Sequence, residues 1–212
     1  MSAQDASTSG TFKIGGDVPV HRLGYGTMRL VGEGAWGEPA YAGEAKRVLR
    51  RAVELGVTLI DTADAYGPEI AERLIGEALA PYAAGVVIAT KGGITRQGPA
   101  KTEYVGRAGY LIQCVEMSLR RLKLERIELY QLHRIDPRTP FEESLGALKK
   151  MQEQGKIRHI GMTENPIVDH TNAALRSNPA QRLRQRMLRH QHLPASHRIP
   201  RQEPDAVLFA VG

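Results

Sequence analysis

Five apolar, strand-like runs begin near residues 21, 57, 85, 127 and 157, and a helical pattern separates successive runs. Strands that alternate with amphipathic helices rejoin their sheet through crossovers, which gives a parallel sheet covered by helices. The helical patterns are clear. Glu44 to Leu55 puts Ala45, Val48, Leu49, Ala52 and Leu55 on one face, and Gly56 follows as a stop. Glu69 to Leu79, Leu111 to Leu122 and Phe141 to Gln154 repeat the device, the last ending at Gly155. Cys114 lies on or near the apolar side of the third helix and reads as a core cysteine. Ahead of the first run, Thr11 to Val20 reads as two short strands around a Gly-Gly-Asp turn. The fold class is therefore α/β. Periodicity does not distinguish a closed barrel from a doubly wound sheet.

The runs end on chemistry. Val57 to Ile60 meets Asp61 and Asp64 and breaks at Tyr66-Gly67-Pro68; Gly85 to Lys91 ends in a lysine before Gly92-Gly93; Ile127 to His133 ends in a histidine. In a parallel sheet the C-terminal strand ends share one face, so Asp61, Tyr66, Lys91 and His133 would converge there. A phenol ordinarily titrates near 10, and a neighbouring cation favours its ionised form. Lys91 supplies that cation. Taken singly, each residue also has a structural reading: Asp61 and Lys91 as a buried ion pair, His133 as a satisfied core histidine, Tyr66 as a rim residue. Asp64 reads as a loop-capping residue. Trp36 and Tyr41, in the glycine-rich loop from Gly32 to Gly43, are candidate substrate-side aromatics.

In these contexts the four residues resemble the catalytic tetrad of the aldo-keto reductase family. The matching segments are LGYGTMRL (23–30), DTADAYG (61–67), ATKGG (89–93), YQLHRID (130–136) and GKIRHIGMTE (155–164), in order along the first 165 residues. The second half is similar to bacterial members related to pyridoxal reductases. The resemblance implies a (β/α)8 barrel, here an incomplete one of about five β/α units, with the hairpin closing its bottom. It implies reduction of aldehyde or ketone carbonyls by hydride from NADPH. Tyr66 would be the proton donor and Lys91 would favour the phenolate, with Asp61 holding Lys91 and His133 orienting the carbonyl. Gly26, Thr27, Met28, Asp61 and Thr163 would line the cofactor. No metal is implied. Glu164 stands where many members have an asparagine.

The net charge of +6 divides unevenly. Residues 1–165 hold 22 Lys and Arg against 20 Asp and Glu, whereas residues 166–212 hold 7 against 3, and all 7 are arginine. This shift sets the expected organisation: residues 1–10 a disordered N-terminus, 11–165 the partial barrel, and 166–212 a basic tail that is irregular or disordered and outside the family pattern. The tail has a weak helical face at Ala180, Leu183 and Met187 and no strand pattern until Val207 to Val211. A truncated or frame-shifted product is expected, with NADPH binding weakened because the units that grip the 2′-phosphate are not visible. A non-catalytic remnant or interaction module that keeps the tetrad is the alternative function. Nucleic-acid binding is disfavoured because no aromatic residues interleave with the arginines. An unclosed sheet edge predicts self-association. One cysteine and no long apolar run point to a cytoplasmic protein without a membrane segment.

Overall fold

The structure, a computed structural model, describes residues 5–163 and 209–210. These belong to one unit spanning Met1–Thr163 and Val207–Gly212; a second unit, Glu164–Ala206, lies outside the described residues. Expectations for 1–4, for the tail beyond Thr163 and for its helical face at Ala180, Leu183 and Met187 therefore fall outside them as well, apart from the pair 209–210.

A short 3-10 turn, Ala6–Ser9, comes first, capped by the Asp5 carboxylate and tied down by the Ala6 amide, which donates to the Leu55 carbonyl at 2.8 Å, so residues 5–10 are structured where a disordered N-terminus was expected. An antiparallel hairpin follows, β1 (Thr11–Ile14) and β2 (Val18–His21). Gly15 and Gly16 turn it, both at positive φ, which a side chain would resist. Ile14, Val18 and Val20 pack on Leu59, Val87 and Ala89, so the hairpin plugs one face of the main sheet. Asp17 ties it to the far side, accepting from Arg158 at 2.7 Å and lying 2.6 Å from the His159 ring nitrogen Nε2.

The main elements follow in the expected alternation: β3 (Gly24–Gly26), α1 (Ala42–Glu54), β4 (Leu59–Asp61), α2 (Ile70–Leu79) and β5 (Val87–Gly92). After a second hairpin, β6 (Ile94–Gly98) and β7 (Lys101–Tyr104), come α3 (Ala108–Leu122), β8 (Ile127–Leu132), α4 (Phe141–Glu153) and β9 (Ile157–Met162). A two-residue strand, β10 (Phe209–Ala210), lies within the run read from 207 to 211. The sheet order is β10-β3-β4-β5-β8-β9, and every pairing is parallel.

Two further features depart from the sequence reading. The first strand-like run was expected to begin near residue 21, yet His21 belongs to β2, because it pairs with Thr11 in the hairpin. The chain steps across at residues 22–23, where the Arg22 amide donates to the Gly10 carbonyl, and only three residues remain for β3. The expected five strands are also joined by β10, on the outer side of β3.

Each helix buries the face its periodicity marks. Ala45, Leu49 and Ala52 of α1 meet Leu74 and Ile75 of α2 in one cluster, and Leu111, Cys114, Val115 and Leu119 of α3 meet Ala147, Leu148 and Met151 of α4 in another. Each large aliphatic residue buried there contributes roughly 1.5–3 kcal/mol. Between the clusters sits a charge. Glu72 is fully buried, accepting from the Thr90 hydroxyl at 2.5 Å and from Arg121 Nε at 2.6 Å, so α2, α3 and β5 are joined by one satisfied carboxylate. Among the described residues, no helix is long and apolar enough to cross a membrane.

The end of β5 is tightly fitted. A Cβ on Gly92 would stand 2.1 Å from the hydroxyl of Tyr130, a fully buried ring that cannot swing away. Gly92→Ala is expected to lower the unfolding free energy by about 1–3 kcal/mol, the usual cost of overpacking. Tyr130→Phe, which removes the colliding oxygen, should restore part of that loss in a denaturant-unfolding double-mutant cycle.

Candidate active site

Sheet register brings the ionisable strand ends together. β3 pairs with β4 so that Gly26 faces Asp61, β5 pairs with β8 so that Lys91 faces Gln131, and β8 pairs with β9 so that Gln131 faces Gly161. All five residues lie at or next to the C-terminal ends of their strands. Asp61 closes β4, and the turn after it carries Tyr66 on backbone bonds from the Tyr66 amide to the Ala63 carbonyl and from the Ala71 amide to the Tyr66 carbonyl.

Lys91 is the hub. Its ammonium contacts the Asp61 carboxylate, donates to the Thr62 carbonyl at 2.9 Å and lies 3.5 Å from the Tyr66 hydroxyl. It also stands 5.3 Å from the centre of the Tyr66 ring, close enough for the ring face to attract it. His133 meets the same ring edge-on, with centroids 5.8 Å apart and planes at 82°. The four expected catalytic residues are thus brought into one cluster, with Lys91 and His133 buried.

Electrostatics fix the charge states. Burial raises the Asp61 carboxyl above its ordinary value, while the Lys91 ammonium and a weak bond from the Gln131 amide at 3.4 Å pull it back down. Burial, with Lys91 and Arg134 nearby, lowers His133 to about 3, so its imidazole is neutral at pH 7. Its Nδ1 is buried without a partner among the described residues, and so is the Thr163 hydroxyl just past β9.

The expected cofactor residues differ in what they offer. A Cβ on Gly26 would meet nothing within 4 Å, so the strand end there is open. Thr27 is fully buried and spends both its amide and its hydroxyl on the Asp61 carbonyl, at 3.0 and 3.1 Å. Met28 is 47 % exposed. Of the two aromatics, Trp36 bridges to Gly67, next to Tyr66, and lies under the Arg96 guanidinium, whereas Tyr41 is 79 % exposed at the start of α1. Gln131 escaped the sequence reading. Its position two residues before His133, on the same side of β8, was the available signal.

Comparison with known proteins shows the family. The model of the aldo/keto reductase family matches residues 22–201. The chain belongs to the aldo/keto reductase family. An uncharacterized oxidoreductase of Schizosaccharomyces pombe is 46 % identical over 168 residues, covering 79 % of this chain and 54 % of that protein. Pyridoxine 4-dehydrogenase of Escherichia coli is 39 % identical over 162 residues, covering 74 % of this chain and 56 % of the enzyme. An aldo-keto reductase from Klebsiella pneumoniae, solved in complex with NADPH, superposes with a TM-score of 0.60 at 26 % identity, covering 82 % of this chain and 55 % of that one. The chain thus spans about half the length of the curated relatives it matches. Its parallel sheet with covering helices fits an incomplete (β/α)8 barrel, as the resemblance implied.

A neutral His133 has a direct signature. Long-range ¹H–¹⁵N spectra should show an uncharged imidazole from pH 5 to 8, with protonation only towards pH 3. Because the unfolded chain binds that proton near 6.5, the His133 contribution to stability is complete above that value and is lost as pH falls towards 3.

Proposed function

We propose that the protein is an NADP(H)-dependent reductase of aldehyde or ketone carbonyls in which Tyr66 donates the proton. The observation that carries the reading is the buried Lys91 ammonium, held by Asp61 and facing the Tyr66 hydroxyl at 3.5 Å. Proton loss from a phenol leaves negative charge on its oxygen, and an ammonium fixed beside that oxygen stabilises the charge without reorganising. Asp61 keeps the ammonium in place. His133, uncharged, can donate its ring N–H to the same carbonyl oxygen that receives the Tyr66 proton, which orients the substrate without a competing charge.

The residues present fit a nicotinamide cofactor. Among the described residues nothing crowds Gly26, and the buried Thr163 hydroxyl, without a partner among them, can hydrogen-bond a polar edge. Thr27, fully buried, supports the strand end through Asp61 and presents no surface of its own to a cofactor. A cofactor bound there supplies the hydride. The NADPH complex of the Klebsiella relative favours the phosphorylated form. The pyridoxine 4-dehydrogenase relative makes pyridoxal the first carbonyl to try.

The test follows NADPH oxidation by the purified chain with pyridoxal and short aldehydes. Tyr66→Phe should lower kcat by about 10²–10⁴-fold while leaving the cofactor fluorescence titration unchanged. A wild-type chain that binds NADPH without oxidising it, or a Tyr66→Phe variant as fast as wild type, contradicts the reading. The first outcome would favour the non-catalytic module.

A further inference from the structure

The turn that carries Tyr66 has a second carboxyl, and the mechanism does not use it. Asp64 lies two residues from Tyr66 and two from Thr62. Its backbone joins the machinery on both sides: its amide donates to the Lys91 carbonyl at 3.1 Å, and its carbonyl accepts from the Glu69 amide at 2.7 Å. Lys91 is therefore gripped twice by one short stretch, at its ammonium by the Thr62 carbonyl and at its own carbonyl by the Asp64 amide. A shift of Asp64 moves the proton donor and its cation together.

The carboxyl itself sits among other groups. It is only 8 % exposed; the Cys114 thiol and the Ala65 amide can donate to it, yet its Oδ1 is buried without a hydrogen-bond partner among the described residues. Glu72 and Glu69 face it from α2 and the turn before it, Cys114, Tyr110 and Arg121 from α3, and Tyr130 from β8. It borders a cavity of about 230 Å³ between Glu69, Arg96, Cys114 and Arg121, which gives water a route to an ionised carboxylate. We propose that Asp64 is a positioning residue whose protonation holds the Tyr66 turn against Lys91, so that its ionisation displaces the phenol from the ammonium. This rests on the roles proposed for Tyr66 and Lys91.

Burial and the neighbouring Glu72 carboxylate raise Asp64 to about 7, close to neutral pH. Burial pushes the Cys114 thiol and the Tyr110 and Tyr130 phenols up, so they stay protonated through that range. The neutral carboxyl needs no counter-charge. Once ionised, it meets the like charge of Glu72, while the Arg121 guanidinium, already bonded to Glu72 and Glu69, draws it away from the sheet. The sign follows. The folded-state value lies above the ordinary carboxyl value of 3.8, so the contribution of Asp64 to stability is fully present below 3.8 and is lost as pH rises through 7.

The test is a pH titration of the full chain carrying ¹³C at tyrosine Cζ, with Tyr66→Phe to assign the signal. In wild type the Tyr66 resonance should step with a midpoint near 7, and a ¹³C-labelled Asp64 carboxyl should titrate at the same midpoint. Asp64→Asn, neutral at every pH, should abolish the step and hold the resonance at its low-pH position. A wild-type Tyr66 signal without a step, a step that persists in Asp64→Asn, or midpoints a unit apart overturns the proposal, and the first and last need no variant to fold. Hydride transfer is measured separately. A step without activity removes the reductase reading alone, and activity without a step removes this inference alone.

Discussion

The site depends on one buried ion pair. Asp61 and Lys91 come from adjacent strands whose register places them at the same end of the sheet, and together they leave water almost completely, with side-chain exposures of 14 % and 6 %. Two charges removed from water this far persist only when their remaining donors and acceptors are satisfied. The Thr62 carbonyl takes a second ammonium proton, and Gln131 reaches the second carboxylate oxygen. What remains of the ammonium faces Tyr66. The pair therefore builds a cation into the strand ends and turns it towards a phenol.

The surrounding fold holds that geometry. Behind the sheet, Glu72, Thr90 and Arg121 form a second buried charge cluster that fixes α2 and α3 to β5, the strand that carries Lys91. On the other side the β1–β2 hairpin fills the sheet face below the site with Ile14, Val18 and Val20. Lys91 is clamped between these two layers, and the turn bearing Tyr66 is bonded to its backbone.

The parts of this legible in the sequence were those governed by apolar periodicity. The four helices begin within three residues of their expected starts, and the strands end on Asp61, on Gly92 just past Lys91 and on the residue before His133, because both periods report burial directly. The β6–β7 hairpin was not legible. Ile94 to Tyr104 has no alternation to mark it, and it is held by long-range polar contacts: Arg96 donates to the Gly34 carbonyl at 2.9 Å and Arg138 to the Tyr104 carbonyl at 2.6 Å. Asp64 shows the same limit. As a loop residue with a capping-type side chain it looked local, yet its burial is set by Glu72, Cys114 and Arg121 on helices that follow it, which no local pattern encodes.

The measurement that tests the central claim most directly is a double-mutant cycle on the ion pair, Asp61→Asn and Lys91→Met singly and together, read by denaturant unfolding. Each single change leaves a buried charge without its partner and should cost about 3–5 kcal/mol. The double variant removes both charges and should cost well below the sum of the two. Strictly additive costs would contradict the account, because they would mean that Lys91 is not held in place by Asp61.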